Sequence, residues 1–209
     1  IGQYEAGADS YPAKEDNSRI LIIAQGKYPY NYITCANAQI KSSELNSGDY
    51  TSSLMFGIQW DLVIKHLQVR GGMSVADLTT NSTSWGNYND ATFKIENGKY
   101  TTSPSTAESF KDYTENTSGK VENSTKLQNQ SVLLTTGANA RQNCKMNIYD
   151  IAGNEWEYTL EKSTIASYPC TCRGSDYNTD GSRCTASDRY SRYTFGTDQE
   201  FYSFRSALY

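Results

Sequence analysis

The sequence predicts a single α+β domain over residues 1–209, with short antiparallel strands, one or two helices and many loops. A chain of 209 residues suits one large domain, or one domain with insertions. Tyr, Ser, Thr, Asn and Gly are abundant, whereas Leu, Ile and Val are sparse, which favours a loop-rich domain over a helical bundle. One stretch, residues 53–69, carries a clear helical pattern.

The N-terminal third contains an opening arm, one strand and two helices in this prediction. Residues 1–18 are polar and lack periodicity, whereas the apolar run at residues 19–24 predicts a buried strand. Apolar residues at helical spacing predict a short helix over residues 34–45. The longer helix, residues 53–69, places Leu54, Ile58, Leu62 and His66 on one stripe. Its apolar face is widened by Trp60, Val63, Ile64 and Leu67, and Gly71 and Gly72 end the helix.

His66, the only histidine, follows Leu62 by one turn on that stripe. We interpret it as a packed or surface side chain, because no Ser or Cys nucleophile motif accompanies it.

Residues 79–130 form a polar segment that is predicted to be a surface insertion. Ser, Thr, Asn, Glu and Lys dominate it, and order is expected where strands such as residues 91–95 pair. Residues 132–137 then predict the strand that returns to the core.

Composition also limits the function. The net charge of −4 argues against a nucleic-acid partner, and no apolar run reaches membrane-spanning length, so membrane insertion is not expected. The chain opens at Ile1 without a signal peptide, which indicates a processed piece of something longer.

The five cysteines allow two interpretations, because an odd number leaves one thiol unpaired within the chain. One is that they are scattered thiols, and the other is a disulfide from Cys184 to Cys170 or Cys172. The Cys170–Cys172 spacing is too tight for a usual zinc knuckle.

Three C-terminal motifs carry the strongest information. Residues 147–159 are Asn-Ile-Tyr-Asp-Ile-Ala-Gly-Asn-Glu-Trp-Glu-Tyr-Thr; Arg173-Gly174 follows, and residues 204–209 are Phe-Arg-Ser-Ala-Leu-Tyr. In order and spacing they resemble the closing half of the formylglycine-generating-enzyme-like (sulfatase-modifying factor) family. That resemblance implies a C-type lectin fold, with Trp156 buried near the chain end.

The resemblance also implies a calcium site. In the resembled enzymes this loop and its acidic residue help to hold the ion, and the matching positions are Asn154 and Glu157, both suitable oxygen ligands. The alternative is that Asn154 caps a tight Gly153-Asn154 turn and Glu157 hydrogen-bonds the backbone, because two oxygens do not complete a calcium site.

The oxidase activity of that family is not expected. Its oxidases carry two cysteines after the Arg-Gly segment that supply thiolates for copper. Thr179 or Asp180 occupies the first of these positions here, and Cys184, with Arg189, matches a later non-catalytic motif. We therefore predict no catalytic residues and no enzyme activity.

The C-terminal region, residues 173–209, has the composition of a binding surface. Tyrosine offers rigid amphipathic contact area, and Ser, Asn and Asp offer adaptable hydrogen bonds. The predicted ligand-binding residues are Asp176, Tyr177, Asn178, Asp180, Ser182, Asp188, Tyr190, Arg192, Tyr193, Thr194, Asp198 and Tyr202.

This mixture of residues resembles the variable proteins of diversity-generating retroelements. In those proteins, mutagenesis directed at template adenines changes selected codons, while the framework residues between them stay fixed. The resemblance implies a receptor-binding protein whose ligand is a protein or glycan on a cell or virus surface, and whose parent is a phage tail component or a cell-surface protein. Ser175 and Ser203 depart from the usual glycines. The alternative is a lectin-like adhesin or structural module of fixed specificity.

For the binding surface we expect exposed side chains whose backbone is held by Arg173, Arg189 and Arg205. Tyr190 and Tyr193 are the first choices as binding anchors. The residues expected to be exposed on one surface are Tyr177, Asn178, Asp180, Asp188, Tyr190, Arg192, Tyr193 and Tyr202.

Overall fold

The computed structural model describes residues 1–12, 14–192 and 200–209, and it is α+β with few helices and short strands, as the sequence predicts. The helices are α1 (Cys35–Ser43), α2 (Gly57–Val69), α3 (Val75–Thr79) and α4 (Ala140–Asn143), with 3₁₀ turns at Thr83–Trp85 and Ala107–Ser109. The strands of the first 134 residues are β1 (Gly7–Ala8), β2 (Tyr28–Pro29), β3 (Ser52–Leu54), β4 (Phe93–Lys94), β5 (Lys99–Thr101), β6 (Lys111–Asp112), β7 (Val121–Glu122), β8 (Thr125–Lys126) and β9 (Leu133–Leu134). The C-terminal strands are β10 (Trp156–Lys162), β11 (Cys170–Arg173), β12 (Arg189–Arg192), β13 (Tyr202–Phe204) and β14 (Ser206–Leu208).

The C-terminal strands build the main sheet, in the order β12-β11-β10-β13. The β12-β11 and β11-β10 pairs are antiparallel, and β10 pairs with β13 in parallel. Strand β14 leaves this sheet and pairs with β3. Trp156 begins β10 and is 4% exposed, so its predicted burial is confirmed.

Both predicted helices form, as α1 and α2, but α2 begins at Gly57 because Ser52–Leu54 form β3. The central stripe of the predicted apolar face of α2 is wrong. Ile58 and Leu62 are more than 60% exposed. The buried face carries Trp60, Val63 and Leu67, which were predicted to widen the stripe, because these side chains lie over the main sheet and the segment that follows. His66 is exposed, on the solvent side of α2.

The strand predicted at residues 19–24 is also wrong. Only Ile22 makes a ladder contact there, an isolated bridge to Gly7, and Ile20 is 77% exposed. The run is too short to pair along its length, and the Arg19 side chain is buried in place of Ile20.

Two large buried clusters form the core. One joins α1, the N-terminal arm and the main sheet, with Tyr158 and Phe204 at its centre. The other lies under α2, and the polar segment 79–130 contributes to it large side chains such as Trp85, Tyr88 and Tyr100. This segment therefore supplies core residues as well as surface. Within the described residues, no helix combines the length and apolar character needed to cross a membrane.

The two ends of the chain meet through Arg205. Its guanidinium is fully buried and pairs with Glu157 through Nε and Nη2, at 2.9 and 2.6 Å. It also donates to the carbonyl oxygens of Gly2 and Tyr149. Arg205 thus fixes the opening arm and the 147–159 segment against the last strands.

Candidate functional site

A pocket of about 380 Å³ opens between the start of β10, the loop that joins β11 to β12, and the start of β13. Its walls mix aromatic rings with short polar side chains. The lining residues are Trp156, Asp176, Asn178, Thr179, Asp180, Arg183, Cys184, Tyr190, Phe201 and Tyr202.

The aromatic wall is centred on Trp156. The Tyr190 ring stacks on its indole with centroids 5.2 Å apart, and Tyr190 itself stays 43% exposed. Tyr190 therefore presents ring surface to solvent while Trp156 supports it from beneath, as an aromatic contact platform requires.

Asp176 connects this wall to the loop. Its carboxylate accepts a hydrogen bond from the Asn178 backbone N–H at 2.8 Å and interacts with the Trp156 side chain. Burial raises the pKa of Asp176 above its ordinary value, and these hydrogen bonds oppose the rise. Asp176 thus shapes the pocket wall and holds the loop that follows.

Arg173 holds the far end of the same loop. Its buried guanidinium donates to the carbonyl oxygens of Asp188 and Ser187, at 2.9 and 3.0 Å. It also pairs with Asp61 of α2 and Glu161 of β10. The expectation that Arg173 holds this backbone is therefore confirmed.

Arg189 and Arg205 act differently from that expectation. The Arg189 guanidinium pairs with the two carboxylates that Arg173 also binds, those of Asp61 and Glu161, at 2.5 and 2.7 Å. The four side chains form a network of alternating positive and negative charges. Arg205 holds the opening arm and Tyr149, as described above, because β13 and β14 carry it away from the loop.

The segment 79–130 supports the loop from below. Asp90 accepts a hydrogen bond from the Gly181 N–H at 3.0 Å, and the Gly181 carbonyl accepts one from Ser82 at 2.9 Å. The Asn89 N–H donates to the Thr179 carbonyl. Residues far apart in the sequence thus set the shape of the pocket, and no local motif indicates their role.

Strained backbone joins the loop to the Gly153-Asn154 turn. Both turn residues have positive φ, 72° and 67°, as predicted for a tight turn. The Gly153 N–H donates to the Gly174 carbonyl, and the Asn154 carbonyl accepts from Tyr177. Ser175, where the resembled family has glycine, has a φ of 72°, a backbone conformation that is strained for a residue with a side chain.

The predicted ligand-binding residues divide into four groups, of which the last, Asp176, Tyr177 and Tyr202, is buried. Asn178, Asp180 and Tyr190 are exposed and line the pocket. Ser182 is exposed and Asp188 half-buried, outside the pocket lining. Tyr193, Thr194 and Asp198 lie outside the described residues, as does the Arg192 side chain.

The predicted exposure of Tyr177 and Tyr202 is wrong. Tyr177 is 3% exposed and packs on Phe201, with ring centroids 5.6 Å apart. Tyr202 is 2% exposed because it begins β13 and lies beside Tyr158 in the core. Asp176, at 7% exposure, is also more buried than a typical contact residue. The composition of the region did not distinguish these inward-facing positions from the outward-facing ones.

Sequence reasoning missed five pocket residues. Trp156 was predicted only as a buried residue, and Thr179, Arg183, Cys184 and Phe201 were not among the predicted contacts, but all five line the pocket. Burial, together with the nearby Asp188 carboxylate, raises the pKa of the Cys184 thiol to about 11. The thiol is therefore protonated at neutral pH, unlike an activated nucleophile.

Asn154 and Glu157, the predicted calcium ligands, bond protein groups in this structure. The Asn154 side chain accepts from Asn87 at 2.9 Å and from the Leu134 N–H, and donates to Glu5. Both Glu157 oxygens accept from Arg205. Within the described residues no group of three or more His, Cys, Asp or Glu side chains could hold a metal. Calcium binding stays a prediction.

Comparison with protein-family models finds no match to this chain, and comparison with curated proteins finds none either.

Proposed function

We propose that the chain is a ligand-binding protein that captures its ligand in the pocket beside Trp156 and Tyr190. The observation that carries this proposal is the convergence of exposed Tyr, Asn and Asp side chains on one concavity with a rigid floor. Such pockets, lined by aromatic rings with a few polar groups, are typical of recognition sites.

The rigid floor is the second support. Arg173 is fully buried beneath the loop, and the Trp60 indole N–H donates to the Ala186 carbonyl at 2.9 Å. The exposed side chains of residues 178–182 can therefore change while these buried residues keep the backbone in place. A binding protein benefits from this preorganisation, because less entropy is lost when the ligand binds.

The same separation supports a C-type lectin fold of the formylglycine-generating-enzyme-like kind, with retroelement diversification of the outer positions. Of the framework residues that the resemblance implies, Arg173, Ala186, Phe204 and Arg205 are buried, whereas Arg189, Leu208 and Tyr209 are exposed. Of the positions proposed as variable, Asn178, Asp180, Ser182 and Tyr190 face solvent. The ligand would be a protein or glycan on a cell or virus surface.

A fixed-specificity adhesin is the second candidate, and one observation favours it. Tyr177 and Tyr202, which belong to the positions proposed as variable, are buried in the core and tolerate little change. Sequencing the encoding locus separates the two candidates. A repeat that differs from the 173–209 coding region only at template adenines supports diversification, and its absence supports fixed specificity.

Binding itself is tested with the purified chain on a glycan array and against a displayed peptide library. We expect at least one binder whose signal falls tenfold or more in Tyr190→Ala, because truncation of an aromatic anchor costs about 2 kcal/mol or more. Tyr50→Ala is the matched control, since Tyr50 is also an exposed tyrosine but lies in the turn before β3. Equal loss in both variants, or none in either, contradicts the proposal.

Catalysis by the family's thiolate mechanism is not part of this proposal. Among the described residues that line the pocket, one is a cysteine, Cys184. The raised pKa of its thiol keeps it protonated at neutral pH. Incubation with a sulfatase-type cysteine peptide and copper tests this point. Turnover above a no-protein control that disappears in Cys184→Ser would make the chain an oxidase.

A further inference from the structure

Three cysteines meet on the side of the main sheet that faces α1. Cys35 is the first residue of α1, and Cys170 and Cys172 alternate in β11, so their side chains lie on one face of the sheet. All three belong to the same buried cluster, with 7% exposure or less. The fold therefore brings together thiols from opposite ends of the chain.

Cys35 and Cys170 are neighbours in this cluster, and both line one cavity. A hydrogen bond between the two side chains, followed by burial and the nearby Cys172, raises the pKa of the Cys35 thiol. The Cys35 sulfur also lies 3.9 Å from the Thr159 carbonyl oxygen, at the point where β10 bulges before it pairs with Cys170. Cys35 and Cys170 thus lie near the same end of β10, an inner strand of the main sheet.

A cavity of about 450 Å³ gives access to this pair. It lies between α1 and the ends of β10 and β11, and both Cys35 and Cys170 line it, together with Leu160 and Pro169. Cys172 is fully buried and is not among the described lining residues. A small reagent that enters the cavity therefore meets Cys35 and Cys170, and not Cys172.

We propose that Cys35 and Cys170 form an oxidation site, which closes to a disulfide with a low-molecular-weight disulfide as oxidant. Because the raised pKa of the Cys35 thiol leaves little thiolate there, Cys170 is the first attacker. Its thiolate attacks the oxidant and forms a mixed disulfide with one half of it, and the other half leaves as a thiol. Cys35 then attacks the mixed disulfide and expels the half bound to Cys170 as a second thiol. The two cysteines lose two protons and two electrons, and the oxidant gains them.

The bond would tie the N-terminal end of α1 to β11. The other end of β11 carries Arg173, which holds the pocket loop. Because the bond closes a loop of more than a hundred residues, it restricts the unfolded chain strongly. The pairing also differs from the Cys184 disulfide considered from the sequence.

The test is peptide mapping of the whole chain after incubation with oxidised glutathione. We expect tryptic peptides 28–41 and 163–173 to be joined, with the loss of two hydrogen atoms, and fragmentation to place the link at Cys170. The melting temperature should rise by about 5–10 °C and return to its starting value on reduction.

Single variants provide the controls. Cys172→Ser should keep both the link and the rise in melting temperature, whereas Cys35→Ser should lose both. Because the map is made on the unmodified chain, it does not depend on whether a variant folds. A link through Cys172 or Cys184 overturns the proposal. A glutathione adduct on Cys35 or Cys170 without a disulfide between them also overturns the proposal. So does a folded chain that does not react with oxidised glutathione while the urea-unfolded chain does.

Discussion

Replacement of Arg173 by methionine tests how the pocket loop is held. The side chain is fully buried and ties the loop at Ser187 and Asp188 to α2 and β10. Methionine keeps much of the apolar volume but removes the donors. The change therefore separates the hydrogen bonds of Arg173 from its packing.

The size of the effect follows from these contacts. Two charge-assisted bonds to carbonyl oxygens contribute about 1.5–3 kcal/mol each after exchange with water. The ion pairs add less, because Asp61 is 40% exposed and Glu161 25% exposed. We expect Arg173→Met to lower the free energy of unfolding by about 3–5 kcal/mol, as is usual when a buried charged partner is removed.

Arg189→Met is the matched control. Arg189 pairs with the same Asp61 and Glu161 carboxylates, but its side chain is 49% exposed. Its removal leaves both carboxylates paired with Arg173, so the cost should stay at or below about 1 kcal/mol.

Urea unfolding, followed by tryptophan fluorescence, measures both variants on one scale. If Arg173→Met and Arg189→Met differ by less than about 1 kcal/mol, the loop is not held by the buried guanidinium, and the rigid floor of the pocket is refuted.

Three further changes test other parts of the structure. Burial raises the pKa of Asp150 to about 6, so the wild-type free energy of unfolding should increase as the pH falls from 7.5 towards 4, and Asp150→Asn should flatten this slope. Gly153→Ala should cost more than about 3 kcal/mol because its Cβ would lie 2.1 Å from the Asn87 carbonyl oxygen, whereas Gly26→Ala, with open space and a φ of 76°, should cost about 1 kcal/mol. Tyr202→Ala should cost about 3–5 kcal/mol and Tyr190→Ala about 1 kcal/mol.

The direction of the pH effect follows from proton uptake. Between the folded pKa of Asp150, about 6, and its unfolded pKa, near 3.8, the folded chain binds the additional proton, so acid stabilises it. Glu5, Glu157 and Arg205 surround this carboxyl group, and burial raises the pKa of Glu5 in the same direction. Asp49→Asn, at an exposed position, is the control. A wild-type slope of the opposite sign would show that folding lowers the pKa of these carboxyl groups instead of raising it.

Equal losses of unfolding free energy within either the glycine pair or the tyrosine pair would contradict the corresponding prediction. If Gly153→Ala and Gly26→Ala have the same melting temperature, the turn has room for a side chain. If Tyr190→Ala unfolds as readily as Tyr202→Ala, Tyr190 belongs to the core and the binding platform is lost.

The sequence predicted the parts of the fold that depend on local pattern. Helix α1, helix α2, the tight turn at Gly153 and the burial of Trp156 each follow from spacing or from a residue with special backbone freedom. The central stripe of the predicted face of α2 was wrong because the apolar residues of this helix extend around it. Only packing against the main sheet selects Trp60, Val63 and Leu67 for burial.

The candidate site was predicted only in part, because composition and local pattern do not show how side chains pack across the fold. The composition of residues 173–209 indicated a binding surface, and Asn178, Asp180 and Tyr190 do line the pocket. It could not show that Tyr177 and Tyr202 turn inward, since a tyrosine suits a core and a surface equally. Supporting contacts from Asp90 and Ser82 depend on pairings across the fold, and nothing in the local sequence indicates them.

The most direct test of the binding pocket uses the three tryptophan indoles as reporters in a ¹⁵N-labelled chain. Trp156 lines the pocket, whereas Trp60 and Trp85 lie in the other buried cluster, at 2% exposure or less. For any glycan or peptide found in the binding screens, we expect the Trp156 resonance to shift with saturation while those of Trp60 and Trp85 stay in place. Tyr190→Ala should weaken that titration by tenfold or more. A ligand that shifts Trp60 or Trp85 but leaves Trp156 unmoved would place the binding site elsewhere and contradict the account.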